Sequence, residues 1–269
     1  MAKKAYVGIE DKARKIKKGY VGHNAIARKI KKGYVGVDGV ARQFFSSADP
    51  VFANNTWEEI IAECEGGTVP ETWLVGDQKP MLINGVEYNI DIIGKYIDDY
   101  SDGSGKAPLT LQLHELYSTE YPMHTSRSNV SGWSGCAMRT THLPSFLVLM
   151  PSEVQAGIKE VNKLTSAGNM SSTIVTTADK LFLLSAAENI GDVTLSKAGE
   201  GSLYPYYSDT NRRMKNPKSG GLKPGKGTPY WTRSPRATLS TNYCYVNGSG
   251  EAGDGYAEYE ECIAPAFCF

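Results

Sequence analysis

The side chains of this sequence that most readily bind metal ions or act as nucleophiles are four histidines and five cysteines. They are His23, His114, His124, His142, Cys64, Cys136, Cys244, Cys262 and Cys268. The histidines are scattered and no CxxC pair occurs, so the ligand spacing of a zinc site is missing. An odd number of cysteines, in a chain that starts without the apolar run of a signal peptide, indicates reduced thiols that are mostly buried. We expect no metal site.

The glycine-rich runs also lack the spacing that nucleotide chemistry requires. Gly-Ser-Gly occurs at 103–105 and 248–250 and Gly-Lys-Gly at 225–227, but none has the Gly-x4-Gly-Lys-Ser/Thr pattern of a phosphate-binding loop. The acidic group at 98–102 has no calcium-hand signature, although a calcium-binding loop remains an alternative there. No Gly-x-Ser-x-Gly elbow is found. The sequence therefore predicts no catalytic residues and no cofactor.

Recognition chemistry is concentrated in the segment 236–261. Small residues alternate there with Tyr, Asn, Arg, Asp and Glu, which is the composition that antibody paratopes use. We predict that this segment forms a ligand-binding surface. The predicted contact residues are Arg236, Thr238, Ser240, Asn242, Tyr243, Tyr245, Asn247, Glu251, Asp254, Tyr256, Glu258 and Tyr259. The alternative is a solvated set of β-turns at the edge of a domain.

Apolar residues on both sides of this segment are expected to anchor it in the core. They are Tyr230, Trp231, Pro235, Val246, Ile263, Pro265 and Phe267. Such a frame would hold the ends of the segment while its polar residues face solvent.

Two helices are predicted in the body of the chain. Residues 57–64 are amphipathic, with Thr56 as the N-cap and Glu59 as its capping-box partner. The apolar residues of 151–163 fall on one helical face, which predicts a second helix.

Alternating apolar residues predict strands elsewhere in the body. The segments 71–76, 78–83 and 87–94 are separated by turn residues and should form an antiparallel meander. A buried strand is expected at 180–185, and 199–227 is predicted to be a long, glycine-rich loop. These patterns indicate an α+β domain with antiparallel sheets, two or more helices and long loops.

The first 45 residues contain three units with a period of 14 residues. The units align Tyr6 with Tyr20 and Tyr34, and Arg14 with Arg28 and Arg42. Each unit reads as strand, tight turn and strand, which predicts a small β-hairpin repeat arm over residues 1–45. Twelve basic and three acidic residues lie in this arm, against 17 basic and 26 acidic residues in the rest of the chain. A disordered basic tail, or an arm that binds nucleic acid, is the alternative.

Several motifs between residues 56 and 269 resemble those of a domain family of unassigned function that is common in phage and prophage proteins of gut bacteria. The motifs are Asp91-Ile-Ile-Gly, Ser131-Gly-Trp-Ser-Gly-Cys-Ala-Met-Arg139, Thr165-Ser-Ala-Gly, Asp179-Lys-Leu-Phe-Leu-Leu-Ser185, Gly199-Glu-Gly, Trp231-Thr-Arg-Ser-Pro235 and Ala264-Pro-Ala-Phe-Cys-Phe269. The resemblance implies a C-type-lectin-like fold, related to formylglycine-generating enzymes, for residues 46–269. It also implies similarity to the variable proteins of diversity-generating retroelements, whose C-terminal surfaces are diversified to recognise changing ligands.

An oxidase of the formylglycine-generating type requires reactive cysteines beside a substrate groove. Cys262 and Cys268 are six residues apart on one predicted terminal strand, so strand parity puts both on the same side. We expect them to pack in the core. An enzyme of the cell envelope would instead need a deep pocket with perturbed groups near Cys136 or Cys244.

We therefore predict a receptor-binding or tail-associated virion protein of a phage, made in the host cytoplasm, that is not an enzyme. It would bind a protein or glycan on the host surface through 236–261 and contact phage structural proteins through 1–45. The alternative is a structural virion protein, for decoration or fibre attachment, with no independent ligand. We expect a homotrimer, no membrane insertion and no nucleic-acid partner.

Overall fold

The computed structural model describes residues 6–9, 12–15, 19–23, 26–30, 32–37, 40–46, 48–191, 193–218 and 227–269. Before residue 48, it describes the strands and their pairing. Three two-stranded antiparallel hairpins lie there: β1 (Tyr6–Ile9) with β2 (Lys12–Lys15), β3 (Gly19–His23) with β4 (Ile26–Ile30), and β5 (Lys32–Val37) with β6 (Val40–Ser46). Val7 pairs with Arg14, Val21 with Arg28 and Val35 with Arg42. The sequence repeat is thus a repeat of one hairpin register.

The body is a mixed α+β structure with several antiparallel sheets and few helices. The strands of its first large sheet are β7 (Gln78–Ile83), β8 (Val86–Gly94), β9 (Thr110–Leu113), β13 (Leu181–Phe182) and β18 (Ala266–Cys268). The strands of the second are β10 (Tyr117–Pro122), β14 (Tyr230–Pro235), β15 (Asn242–Val246), β16 (Ala252–Tyr256) and β17 (Glu260–Ile263). The first sheet has the order β13-β18-β9-β8-β7, and the second has the order β10-β17-β14-β15-β16.

A separate antiparallel pair is formed by β11 (Val161–Ser166) and β12 (Ile174–Asp179). Within the second large sheet, β14 runs parallel to β17, and the other strand pairs are antiparallel.

The helices of the body are short. They are α1 (Trp57–Glu65), α2 (Gly132–Gly135), α3 (Leu143–Leu147), α4 (Ser152–Gly157) and α5 (Ala186–Ile190), with a π-helical turn at Met138–His142 and 3₁₀ turns at Phe52–Asn54, Pro205–Ser208 and Thr210–Arg213. The predicted capping box at the start of α1 is present, because Thr56 accepts from the Glu59 amide and Glu59 accepts from the Thr56 amide. Among the described residues, no helix is both long and apolar enough to cross a membrane.

Three of the secondary-structure predictions were wrong in part. Residues 71–76 form turns instead of a strand, because Trp73 points into the core and donates its indole N–H to the Asp49 carbonyl at 3.0 Å. The helix predicted over 151–163 stops at Gly157. A Cβ on that glycine would lie 2.6 Å from Ile61 Cδ1, so close packing of α4 on α1 takes precedence over helical periodicity. The strand at 180–185 shrinks to Leu181–Phe182.

The ends of the chain segment 230–269 are buried, as expected of a frame. All seven predicted frame residues are buried, and Trp231 is among the largest fully buried side chains. Cys262 and Cys268 do not share a strand, because the chain breaks at Ala264 and Pro265 between β17 and β18. Each cysteine packs in a different hydrophobic cluster, so the strand-parity argument was wrong although both thiols are buried.

Candidate functional site

The register of β15 and β16 divides the predicted contact residues between two faces of the second large sheet. Asn242 is opposite Tyr256 and Cys244 is opposite Asp254, whereas Tyr245 is opposite Gly253. Residues that are paired across antiparallel strands share a face, and neighbours along a strand point to opposite faces. Asn242, Asp254 and Tyr256 therefore lie on one face, and Tyr243 and Tyr245 lie on the other.

Two of the predicted contact residues are inaccessible. Tyr243 is 0% exposed and its hydroxyl donates to the Gly132 carbonyl at 2.9 Å, and burial raises its pKa far above the ordinary value. Asn242 is 7% exposed and donates its side-chain amide to Asp254 Oδ2 at 2.8 Å. Tyr243 belongs to the core, and Asn242 positions the carboxylate of Asp254.

Four residues form a group at the end of the sheet where β16 finishes: the exposed Arg127, Glu258 and Tyr259 and the half-buried Tyr256. The Arg127 guanidinium carbon lies 3.2 Å from the centroid of the Tyr256 ring, and Arg127 Nε lies 3.8 Å from Glu258 Oε1. The ring of Tyr259 meets that of Tyr256 edge-on at 5.2 Å, and Tyr259 is 52% exposed. An arginine stacked on a tyrosine loses little further freedom when a ligand binds. We call these four residues the Tyr256 cluster.

Arg236 and Asp254 lie at the same end of the sheet. Arg236 Nε is 3.6 Å from Asp254 Oδ1, and the Arg236 amide donates to the Asn242 carbonyl at 3.0 Å. Arg236 Nε and Nη1 are buried and have no hydrogen bond among the described residues. Thr238 is exposed and Ser240 is half-buried in the loop that links Arg236 to β15.

The remaining predicted contact residues lie elsewhere. Asn247 and Glu251 form the turn between β15 and β16, where Asn247 Oδ1 accepts from the Glu251 amide at 3.1 Å. That turn is at the opposite end of β15 from Asn242, and Asn247 is roughly 16 Å from Asn242 at about 3.3 Å per residue. Tyr245 lies on the other face, against Trp231 and over Gly253.

Arg127 was missed by the sequence-based prediction. Its loop is held beside the cluster by Asn129, whose side-chain amide donates to the carbonyls of Leu239 and Asn242 at 2.8 and 2.7 Å. No signal in the sequence joins Arg127 to a segment more than a hundred residues later. Only the folded chain brings them together.

Several of the motifs that carried the family resemblance contribute residues to a buried network of charged side chains. Arg233 pairs with Glu188 through two hydrogen bonds, and Lys163 bridges Asp98 at 2.7 Å and Glu188 at 2.8 Å. Burial works to raise the pKa values of Asp98 and Glu188, but the adjacent cations hold both below their ordinary range.

Glu200 completes this network. It accepts from Ser234 and from the Ser166 amide. Burial raises its pKa, and those hydrogen bonds offset the rise only in part.

A second buried group joins the Trp133 and Asp179 motifs. Asp179 accepts from Trp133 Nε1 at 2.9 Å, from Arg139 Nε at 2.5 Å and from Thr177 at 2.7 Å. Trp133 and Asp179 are buried, and their hydrogen bonds to each other and to Arg139 and Thr177 stabilise this part of the fold.

The cysteines lie in surroundings that disfavour the reactive thiolate. All five are buried. Burial raises the pKa of Cys136 to about 11 and that of Cys262 to about 12. Within the described parts of the chain, no group of three or more His, Cys, Asp or Glu residues is arranged to hold a metal ion.

The fold and this site define an α+β protein in which a buried ionic framework supports a polar, aromatic surface at one end of a sheet. The chain belongs to the DUF6273 family, a domain of unknown function, whose pattern matches residues 108–269. Comparisons with curated proteins and with solved structures give no match.

Proposed function

We propose that this protein is a ligand-binding protein and that the Tyr256 cluster, together with Arg236 and Asp254, is its contact surface. The observation that carries the proposal is the Arg127 guanidinium stacked at 3.2 Å on an accessible tyrosine, with Tyr259 standing exposed beside it. Tyr and Arg are the residues most enriched at the energetic centres of protein interfaces. Because both are held in place before binding, the entropy cost of association is small.

The resemblance to phage and prophage proteins supports a more specific setting for this function. We propose that the ligand is a protein or glycan on the surface of a host bacterium, and that the C-type-lectin-like framework displays a diversifiable surface at 236–261. The three hairpins would attach the protein to phage structural proteins or to its own copies. A two-stranded hairpin is marginal alone, so each one needs a neighbour.

The first experiment measures saturable binding of the fluorescently labelled full chain to intact bacteria and envelope extracts from a broad panel. The test variant combines Arg127→Ala, Tyr256→Ala and Tyr259→Ala. The matched control combines Asn247→Ala and Glu251→Ala, at the far end of the same hairpin. We expect the control to bind like the unaltered chain and the test variant to lose binding, with melting temperatures close to that of the unaltered chain.

A structural virion role is the alternative, and the hairpin repeats favour it. Equal binding by both variants, or no binding across the panel, would support this role and contradict the ligand-binding proposal. Light scattering then tests assembly. The full chain of 29.3 kDa is expected to elute with three times that mass if the proposed trimer forms, and a monomer mass would exclude it at that concentration.

A further inference from the structure

A cavity of about 380 Å³ lies outside the proposed contact surface, between the end of β9 and the chain segment 206–218. Its wall combines apolar surface with polar and charged side chains, which include His114, Glu115, Tyr206, Arg212, Lys215 and Lys218. Cavities of this size bind small molecules, and the polar groups on their walls select the ligand.

Asp91 fixes the orientation of His114 at this cavity. The carboxylate of Asp91 is 0% exposed and accepts from Gln78 Nε2 at 2.7 Å and from the Tyr206 hydroxyl at 2.6 Å. His114 Nδ1 lies 2.9 Å from the same carboxylate and 2.8 Å from Gln78 Nε2. Burial works to raise the pKa of Asp91, but the hydrogen bond with His114 and the charge of Lys215 hold that pKa below its ordinary range. These contacts hold Nδ1 against the protein, and Nε2 of the same ring has no hydrogen bond among the described residues.

Two charged residues of the wall, Glu115 and Lys215, already have hydrogen-bond partners within the protein. Glu115 accepts from the backbone and side-chain amides of Asn89 at 2.8 and 3.0 Å and from Lys218 at 3.3 Å. Lys215 is buried and donates to the carbonyls of Leu113 and His114 at 2.8 and 3.0 Å. These groups are internally satisfied, so they have little capacity left for a ligand.

Arg212 is the donor with spare capacity. Its guanidinium carbon lies 4.5 Å from the centroid of the Tyr206 ring, and its charged neighbour Asp209 is reached only by Nε, at 3.6 Å. Its two terminal nitrogens have no hydrogen-bond partner among the described residues. They fit beside Gly76 because that residue has no side chain. The Arg212 side chain is 37% exposed, so a ligand can reach it.

Both free groups flank the same aromatic ring. His114 Nδ1 is 3.5 Å from the Tyr206 hydroxyl, and Arg212 covers the face of that ring. Both residues line the same cavity, so a small molecule bound there can contact the Arg212 guanidinium and His114 Nε2. A guanidinium pairs best with a carboxylate through two parallel hydrogen bonds, and a hydroxyl, which both donates and accepts, pairs with an imidazole nitrogen of either protonation state.

We propose that this cavity is a second binding site that takes a small hydroxylated carboxylic acid, such as a sugar acid. The carboxylate would pair with the terminal nitrogens of Arg212, and a ligand hydroxyl would form a hydrogen bond with His114 Nε2. This site is independent of the contact surface proposed above.

Isothermal titration of the full chain with sodium glucuronate, with glucose as the neutral match, tests this proposal. We expect saturable glucuronate binding and none for glucose. Arg212→Gln should weaken glucuronate binding at least about tenfold, because it removes a charge-assisted pair. Lys106→Gln, which alters an exposed lysine paired with Asp99, is the matched control and should bind as the unaltered chain does.

Arg212 makes no hydrogen bond through its terminal nitrogens, so its substitution should leave folding intact, and a thermal melt checks this. His114→Phe is a second variant, which removes the hydrogen-bonding ring nitrogen and should also weaken binding. Absence of glucuronate binding, equal binding of glucose, or an Arg212→Gln affinity equal to that of the unaltered chain would overturn the proposal. The Arg212→Gln variant should still bind cells as the unaltered chain does, because its Tyr256 cluster is unchanged. A result with glucuronate therefore tests only the cavity, and the cell-binding measurement tests the Tyr256 cluster separately.

Discussion

Two arginines of this protein, Arg233 and Arg127, differ in whether their side chains are buried. Arg233 is 0% exposed and satisfies Glu188 together with three backbone carbonyls, those of Leu164, Leu183 and Glu200. Arg127 is on the surface, where its charge is solvated and its ring contact is accessible. The same residue type thus specifies the fold at one position and is available for recognition at the other.

Removing the buried cation tests the first of these roles. We expect Arg233→Met to lower the free energy of unfolding by about 3–5 kcal/mol, because the buried network would lose one of the two cations that pair with Glu188 and three buried carbonyls would lose their donor. Lys106→Met, which breaks an exposed pair with Asp99, should change it by about 0–1 kcal/mol. Urea unfolding followed by tryptophan fluorescence measures both values. Equal values would show that the ionic network contributes no more than a surface pair.

The carboxyl of Glu200 makes stability depend on pH in the opposite sense from its neighbours. Its pKa in the folded chain is raised above the ordinary 4.5, chiefly by burial. Its contribution is therefore complete at pH values below 4.5 and is lost as the pH rises through the folded pKa. Asp98 and Glu188 have lowered pKa values, so their contributions are lost as the pH falls.

Comparing the unaltered chain with Glu200→Gln isolates this effect. The stability of the variant relative to the unaltered chain should increase as the pH rises from 4.5, because glutamine has no proton to lose. Urea midpoints measured at a series of pH values follow the difference. A difference that stays constant with pH would contradict the raised pKa.

At the scale of elements, glycines in the edge strand β16 allow the Tyr245 ring to lie flat on it. A Cβ on Gly253 would be 2.2 Å from Tyr245 Cε2, whereas one on Gly255 would have Trp231 Cη2 as its nearest neighbour at 3.3 Å. The two glycines are two residues apart on one face, so they offer a matched comparison.

Gly253→Ala should destabilise the chain by about 1–3 kcal/mol, because the Tyr245 ring must move away from its packed position. Gly255→Ala should have a smaller effect. Thermal unfolding compares the two, and adding Tyr245→Ala to Gly253→Ala should remove most of the penalty that Gly253→Ala causes. An additive double variant would show that the ring is not the source of that penalty.

For the whole molecule, the cysteines report on the integrity of the packed body. All five are buried in the folded chain and none forms a disulfide. We expect Ellman's reagent to label none of them in the native protein and all five in guanidinium chloride, without prior reduction. Rapid labelling of a native thiol would show that the body opens at that position.

The sequence predicted those features that depend on local chemistry. The capping box of Thr56 and Glu59 is a local hydrogen-bonding pattern, and the turn at Asn84 and Gly85 takes positive φ angles of 49° and 77°, as an Asn-Gly hairpin requires. The buried frame around 236–261 also followed from the sequence, because long apolar residues must leave water. The secondary-structure predictions were wrong where tertiary packing determined the conformation of the chain, as at Trp73 and Gly157.

The composition of 236–261 determined that a polar, tyrosine-rich surface exists, but only the tertiary structure decided which of its residues are accessible. Strand alternation turned Tyr243 into the core, and the β15–β16 hairpin separated Asn247 and Glu251 from Tyr256. Arg127 joined the surface through long-range hydrogen bonds of Asn129. Long-range pairing of this kind depends on strand register and on contacts between distant segments, which residue types and local spacing do not specify.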